Sequence, residues 1–109
     1  MSTCQGYWEA VYLNAWGFIQ VGYIQLAIGA CYNGSTVSRQ WGPTCTISFW
    51  PPNMKGWVDY QGSYGSGTNR LTDYCQTQGE IWLVPVGWCC DRWFYYQFTV
   101  GATGNWWWS

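Results

Sequence analysis

The residue types that carry out most hydrolytic chemistry are scarce in this chain of 109 residues, which contains no histidine. Without histidine, the Ser-His-Asp and Cys-His arrangements of nucleophilic catalysis cannot form. Two carboxylates hydrolyse glycosidic bonds when they lie about 5 Å or about 6.5–9.5 Å apart, and Asp59 and Asp73 are the best candidates for such a pair. The simpler interpretation is that both are solvated loop charges. With five acidic residues and no catalytic motif, we expect a protein that is not an enzyme and needs no cofactor.

Aromatic residues, in contrast, are abundant and make up 22% of the chain, with 11 Trp and 9 Tyr. Exposed Trp and Tyr rings stack on the faces of sugars, and amide side chains such as Gln61 and Gln97 would bond the sugar hydroxyls. A group of rings beside a glycine-rich segment therefore predicts a carbohydrate platform, formed by Trp57, Tyr60 and Tyr64. The competing interpretation is that most rings fill the core, since each buries a large apolar area.

Charged residues are rare, at 8% of the chain against about a quarter in a typical soluble domain. The net charge of −1 and the scattered basic residues give no basic face for nucleic acid or for an anionic membrane. So few charges cannot cover the surface of a soluble monomer, whereas protein interfaces are rich in aromatic residues and poor in charge. The composition favours a domain whose surface is partly covered by a partner.

Six cysteines in so short a chain predict a disulfide framework, and the lack of histidine and of paired C-x2-C motifs argues against a metal site. We favour Cys31–Cys45 as a local pair across a hairpin. The adjacent Cys89 and Cys90 are expected to take separate partners, because successive strand residues face opposite ways. Since disulfides persist outside the cytosol, the chain is predicted to be secreted. The framework comprises Cys4, Cys31, Cys45, Cys75, Cys89 and Cys90.

Short runs of β-branched and aromatic residues between turn signals predict an all-β fold. Asn33-Gly34 is a strong hairpin signal, and the alternation in TCTISFW places Cys45, Ile47 and Phe49 on one face of a strand that WPPN then ends. We predict one domain over residues 1–109, a disulfide-stapled antiparallel β-sandwich, with a small β-barrel as the alternative. The expected strands are YWEAVYLN, FIQVGYIQLAI, TCTISFW, GWVDYQ, GEIWLVPV and RWFYYQFTV, with residues 62–69 as a flexible loop and Pro85 at an edge or bulge.

One uncharged stretch, residues 10–38, contains an apolar part long enough to cross a bilayer. Asn14, Gln20 and Gln25 interrupt it, and Lys or Arg anchors do not flank it. We therefore expect strands here and no transmembrane segment.

Both faces of several strands carry apolar side chains, so a second face is expected to be covered from outside the domain. The chain ends in GNWWWS, and residues 102–109 are interpreted as a strand that docks on its own sheet or is exchanged with a neighbour. In such a strand Trp106 and Trp108 share one face, so we predict that both are buried against the chain's own sheet or a neighbour's, and that Trp107 contacts a partner or solvent. The predicted interaction residues are Trp93, Tyr95, Trp106, Trp107 and Trp108.

The segment ACYNGSTV, the TC strand after it and the late YCQTQGEIWLVPVGWCC…FYYQFTV block resemble small secreted actinobacterial proteins of unknown function. The resemblance implies secretion, disulfides and a β fold, and it carries no activity. The doubled cysteine and the WWWS ending depart from the pattern. The residues that carry the resemblance are Cys31, Asn33, Gly34, Ser35, Cys75, Cys89 and Cys90.

Two functions fit these features. The first is an extracellular assembly protein that packs through aromatic surfaces and sheet edges into a filament or complex, with itself or another extracellular protein as partner. The second is a carbohydrate-binding module that binds polysaccharide through Trp and Tyr platforms. A sugar site accounts for three or four exposed rings but not for a general lack of charge, so the sequence narrowly favours assembly.

Overall fold

The computed structural model describes residues 2–15, 19–83 and 87–108, with side chains throughout except at 15 and 81–91. Within these ranges the chain forms two antiparallel sheets: sheet A has the strand order β1-β2-β3, and sheet B has β4-β5-β6-β7. The described part of the chain includes no helix with the length and hydropathy needed to cross a bilayer. The strands are β1 (Thr3–Ala15), β2 (Ile19–Tyr32), β3 (Val37–Phe49), β4 (Met54–Tyr64), β5 (Arg70–Leu83), β6 (Gly87–Gly101) and β7 (Trp106–Trp108).

The two sheets pack on each other as a sandwich, and the chain passes from one sheet to the other between β3 and β4. This confirms the predicted antiparallel β-sandwich, and the described strands do not close into the alternative barrel. The molecule measures 60 × 24 × 18 Å. It is long because its strands are long, at about 3.4 Å per residue, and thin because it has only two layers.

The core lies between the sheets in two clusters. The first includes Leu26, Ile28 and Phe98. The second includes both Ile24 and Val21. These residues are three positions apart, so regular alternation would put them on opposite faces. The register of β1 against β2 shifts between Leu13 and Asn14, so that Val21 is an extra residue on its strand. Such a bulge turns a side chain to the other face, which brings Val21 into the core.

The predicted hairpin is confirmed at residues 33–36, between β2 and β3. The Asn33 side-chain oxygen accepts hydrogen bonds from the backbone N–H groups of Ser35 and Thr36, at 2.9 and 2.8 Å. Gly34 has φ of 93°, a conformation that glycine adopts without steric cost. The alternation in TCTISFW is also confirmed, since its apolar residues pack against the second core cluster, and β3 ends just before the two prolines.

The expected loop over residues 62–69 is wrong in extent. β4 continues to Tyr64, and β5 begins at Arg70, well before the predicted strand GEIWLVPV. The inward side of β5 carries Asp73 and Thr77 among its buried residues, so the strand lacks the apolar alternation by which it would be recognised. Pro85 lies outside the described residues.

The disulfides in the described residues are Cys4–Cys31 and Cys45–Cys75, so the favoured Cys31–Cys45 pair is wrong. In the β2–β3 register Cys31 is opposite Ser38 and Cys45 is opposite Leu26, which puts the two cysteines on opposite faces of sheet A. Cys4 and Cys31 are directly opposed on β1 and β2, whereas Cys45–Cys75 joins the two sheets through the core. The side chains of Cys89 and Cys90 lie outside the described residues.

A second contact between the sheets is the ring of Phe49, which fits over two glycines of sheet B. Gly56 and Gly79 are opposite each other on β4 and β5. A Cβ atom built at either glycine would be 2.9 Å from the Phe49 ring. Glycine is therefore needed at both positions for the ring to approach the sheet this closely.

Opening the cross-sheet disulfide with Cys45→Ala and Cys75→Ala is expected to lower the free energy of unfolding by about 2–5 kcal/mol. The loss includes a cavity, because Cys75 is fully buried. The matched pair Cys4→Ala and Cys31→Ala is expected to cost less, because β1 and β2 stay paired along their length without it. Urea denaturation followed by tryptophan fluorescence measures both, and equal losses would contradict the assignment of Cys45–Cys75 as the bond that holds the sheets together.

Candidate functional site

The outward side chains of sheet B form one surface, named face B, in which rings and amides alternate. In one row across the sheet Gln78 lies between Trp57 and Trp93. In the next row Gln76 lies between Tyr60 and Tyr95. The Cα atoms of the outer residues in a row are about 9.6 Å apart, twice the strand spacing of about 4.8 Å. Face B comprises Trp57, Asp59, Tyr60, Tyr64, Tyr74, Gln76, Gln78, Trp93, Tyr95 and Gln97.

Face B brings together two sets of residues that the sequence analysis had assigned to different functions. Trp57, Tyr60 and Tyr64 were predicted as a carbohydrate platform, and Trp93 and Tyr95 as interaction residues. All five are exposed and lie on this one surface.

Asp59 holds the amides of face B in place. A register shift between Val58 and Tyr60 makes Asp59 the extra residue of a bulge on β4. Its carboxylate accepts hydrogen bonds from the Gln78 side-chain nitrogen at 2.8 and 3.1 Å and from that of Gln76 at 3.3 Å. The indole N–H of Trp57 donates to the same carboxylate at 3.1 Å. Both amides and one ring are thereby oriented before any ligand arrives.

Tyr74 lies flat at the centre of face B. A Cβ atom built at Gly62, its neighbour across the β4–β5 pair, would be 2.6 Å from the Tyr74 hydroxyl oxygen. The ring therefore rests on the backbone of that glycine. Its centroid is 6.1, 6.2 and 6.4 Å from the centroids of Tyr60, Tyr64 and Tyr95, so four tyrosine rings form one continuous cluster.

The Tyr60 and Tyr95 hydroxyl groups of this cluster are hydrogen-bonded to neighbouring amides, and that of Tyr95 is also held in its protonated form. Burial raises the pKa of Tyr95 above its ordinary value of 10.0, and the neighbouring tyrosines raise it further. The Tyr95 hydroxyl donates a hydrogen bond to the Gln97 side-chain oxygen at 3.0 Å, and the Tyr60 hydroxyl donates to that of Gln76 at 2.9 Å. On face B, ring hydroxyls are thus hydrogen-bonded to side-chain amides.

The tryptophans of β7 lie beside face B, where β7 pairs with Phe98–Val100 of its own chain. Trp106 and Trp108 share one face and contact the Phe98 ring edge-on, with centroid distances of 6.1 and 5.8 Å. They keep 44% and 39% of their surface exposed, so the chain's own sheet does not bury them, and burial against a neighbour's sheet stays a prediction. As the short edge strand of sheet B, β7 covers Phe98 from one side only.

Trp107 is the most covered of the three, although it was expected to face a partner or solvent. It is half-buried, and the guanidinium of Arg70 lies 5.6 Å from its ring centroid. This is within the range of a cation–π contact. The outward face of β7 therefore continues face B at its Arg70 end.

Asp59 and Asp73, the best candidates for a catalytic pair, lie on opposite faces of sheet B and do not share a site. Asp59 is on face B, whereas Asp73 is fully buried in the core. The interpretation as solvated loop charges is wrong for Asp73, which is buried, whereas Asp59 is exposed but lies in β4 rather than in a loop. No three Asp, Glu, Cys or His side chains come together as metal ligands in the described part of the chain.

Asp73 is a fully buried acid. Neither of its carboxyl oxygens has a hydrogen-bond partner among the described residues, and the hydroxyl of Thr77, four residues further along β5, has none either. Desolvation raises the pKa of Asp73 from 3.8 to about 8. At neutral pH the side chain is therefore a neutral carboxylic acid inside the sandwich.

Sequence reasoning missed Tyr74, Gln76 and Gln78, which form the middle of face B. All three lie on β5, whose polar inward residues kept this part of the strand from being predicted. The signal was present as large polar or aromatic residues at every second position of TDYCQTQGE. Gln61, which was expected to contact a sugar, instead accepts a hydrogen bond from the backbone N–H of Cys45 on the neighbouring sheet, at 2.8 Å.

The chain matches no protein-family model, no curated protein and no solved structure. The resemblance to secreted actinobacterial proteins stays a prediction. The function has to be argued from the chemistry of face B itself.

Removing residues 106–109 is expected to lower the free energy of unfolding by about 3 kcal/mol, because burial of a large apolar side chain contributes about 1.5–3 kcal/mol and Phe98 loses its cover. Urea denaturation of the truncated chain measures the loss. The control is Trp50→Ala, which removes a tryptophan that is 53% exposed in the turn after β3 and is expected to change stability by less than about 0.5 kcal/mol. A truncated chain as stable as the intact one would show that β7 adds nothing to the core.

Asp73→Asn is expected to change how stability depends on pH. The folded pKa of about 8 lies above the ordinary 3.8, so the folded state holds a proton that the unfolded chain releases between these values. Stability of the wild type should fall as pH rises through this window, by up to about 1.4 kcal/mol per unit. The amide does not titrate, so the variant should lose this slope. Urea midpoints at pH 4, 6 and 8 test it, and parallel profiles for the two proteins would contradict the buried neutral acid.

Proposed function

We propose that this protein is an extracellular, non-catalytic binding domain that binds a neutral polysaccharide through face B. The observation that carries the proposal is the division of aromatic types between the inside and the outside. Phe49, Phe94 and Phe98 lie in or against the core. The described side chains of face B, in contrast, include Trp and Tyr but no Phe and no aliphatic residue.

This division separates sugar binding from protein packing. Interfaces between proteins are enriched in Phe and Met as well as in Trp and Tyr. Trp and Tyr differ from Phe in carrying a hydrogen-bonding group beside the apolar ring. A pyranose has the complementary pattern, with C–H bonds on its faces and hydroxyls around its rim. The partly positive C–H bonds are attracted to the negative face of an aromatic ring, and the hydroxyls bond to the amides beside it.

The amides of face B support the proposal because they are already fixed. Asp59 holds Gln76 and Gln78 between the two columns of rings. Ordering a long side chain on binding costs about 0.5–1.5 kcal/mol. Part of this cost is avoided here, because the two amides are already ordered in the folded protein. A bound glycan would meet acceptors and donors at set positions along the sheet.

The distribution of charge on face B fits a neutral ligand. Lys55 and Glu80 are opposite each other at one end, and Arg70 lies at the other end beside Trp107. Of the described residues between these two ends, Asp59 carries the charge. Its oxygens accept hydrogen bonds from the two amides and from the Trp57 indole. Along the described side chains of face B, an acidic or basic polymer would find no row of opposite charges.

Secretion is part of the same proposal. The two disulfides of the described residues support an oxidising compartment. Polysaccharides that serve as insoluble surfaces also lie outside the cell. A flat face suits the side of an extended chain rather than a chain end, which would need a pocket.

Assembly, which the sequence narrowly favoured, is the second candidate, and an unpaired edge of sheet B supports it. β7 pairs with β6 only at Phe98–Val100, so residues 87–97 of β6 have no partner on that side among the described strands. Such an edge can accept a strand from another chain. This edge lies beside face B rather than on it, so it leaves the rings and their amides without a role.

The test is the depletion of purified protein from solution by microcrystalline cellulose and by chitin. Trp57→Ala combined with Trp93→Ala is expected to raise the dissociation constant at least tenfold, or about 1.4 kcal/mol, because it removes the rings on both sides of Gln78. Trp50→Ala is the matched control, since Trp50 is also largely exposed but lies in the β3–β4 turn. Its affinity should equal that of the wild type.

Sedimentation velocity on the same proteins distinguishes the two candidates. The proposal expects a monomer that binds at least one of the two glycans. Oligomers that bind neither glycan would contradict it in favour of assembly, and a monomer that binds neither would contradict both.

A further inference from the structure

The outside of sheet A carries a second set of exposed rings, on the opposite side of the sandwich from face B. Alternation along the strands places these side chains on one surface, named face A. Its described positions again combine Trp and Tyr with uncharged polar residues. Face A includes Trp8, Tyr12, Tyr23, Gln25, Trp41 and Thr46.

Trp41 lies flat on face A because two glycines lie beneath it. Gly6 and Gly29 are directly opposite each other on β1 and β2. A Cβ atom at Gly6 would be 3.3 Å from the Trp41 ring, and one at Gly29 would overlap the indole. The indole therefore covers both glycines with one of its faces. Nearly half of the residue remains exposed.

The remaining rings of face A extend along the same strands. Trp8 is two residues from Gly6, about 6.8 Å along β1 and on the same side. Tyr12 follows on that side and is paired with Tyr23. Between the row of Trp8 and the row of Tyr12, Gln25 lies opposite Thr46. This intermediate row supplies an amide and a hydroxyl. Face A thus repeats the pattern of face B: a ring lying on glycine, further rings along a strand, and uncharged hydrogen-bonding groups among them.

We propose that face A is a second polysaccharide-binding surface, so that one molecule bridges two neutral glycan chains. This inference rests on the proposed function of face B. The two faces point in opposite directions across a molecule only 18 Å thick, so one extended chain cannot lie on both. The composition of face A argues for a glycan rather than a second copy of the protein, because its described strand positions carry no Phe and no aliphatic side chain larger than alanine.

The experiment separates bridging from binding. Microcrystalline cellulose is incubated with protein and washed, and fluorescein-labelled hydroxyethylcellulose is then added. The label retained on the solid measures bridging, and protein depletion measures binding. Chitin with labelled glycol chitin is run in parallel. The wild type is expected to retain label in proportion to the protein bound.

Variants of each face give the decisive comparison. Trp8→Ala combined with Trp41→Ala should still bind the solid through face B. Trp57→Ala combined with Trp93→Ala should bind it at least tenfold more weakly, through face A alone. Each variant should reduce the retained label at least tenfold per bound protein. Gly29→Ala keeps every ring but displaces the Trp41 indole, and it should also reduce the label. If Gly29→Ala fails to fold, the Trp8 and Trp41 variant still decides the question. Trp50→Ala should bridge like the wild type.

Several results would overturn the inference. Wild-type protein that binds the solid but retains no label has one glycan face, which refutes bridging and leaves the function of face B intact. Undiminished label with the Trp8 and Trp41 variant would show that face A is not the second site. Sedimentation that shows a dimer, lost together with bridging in that variant, would make face A an interface between copies. Failure to bind either solid would instead refute the proposed function itself.

Discussion

A strand in a sandwich of two sheets has only two places to put a side chain, the single core or the outside, and the rest of the structure follows from this constraint. The core between the sheets takes Leu26, Ile28, Phe98 and their neighbours. Nearly half of the chain is hydrophobic, which is more than one thin core can hold. The excess is placed outside as tryptophan and tyrosine, whose indole N–H and hydroxyl groups tolerate water. The abundance of rings on both outer surfaces and the small number of charges therefore have one origin.

Strand glycines decide how the rings lie. Glycine weakens a strand by about 0.5–1 kcal/mol relative to alanine, yet this chain places it opposite glycine in two pairs. Gly56 and Gly79 receive Phe49 in the core, and the corresponding pair on sheet A lies under Trp41. Inside, the pair lets a ring lock one sheet to the other. Outside, the same arrangement turns a ring parallel to the sheet, so that it presents its broad surface rather than its edge.

Local chemistry was readable from the sequence, whereas long-range consequences were not. Asn33-Gly34 defines its turn through its own side chain and backbone, and Ile47 shows its inward side by simple alternation. Tyr60 and Tyr64 share a face by the same alternation, whereas Trp57 joins them only because of the bulge at Asp59. Three features depend on partners distant in sequence: the Cys45–Cys75 bond, the bulge that turns Asp59 toward the amides, and the strand around buried Asp73. Core strands are recognised by apolar residues at alternate positions, and a buried acid without a partner breaks that pattern. Neither this part of β5 nor the amides on it could therefore be predicted from the sequence.

The few positive charges are all placed within strands. Arg39 lies in β3, Lys55 in β4, Arg70 in β5 and Arg92 in β6, and the segments that connect the strands contain neither Lys nor Arg. Proteases cut most readily at exposed loop tips, where the chain can enter an active site without unfolding. A trypsin-like enzyme therefore meets its cleavage residues only in backbone that belongs to a sheet. The native domain should therefore resist such enzymes for as long as its two sheets stay joined.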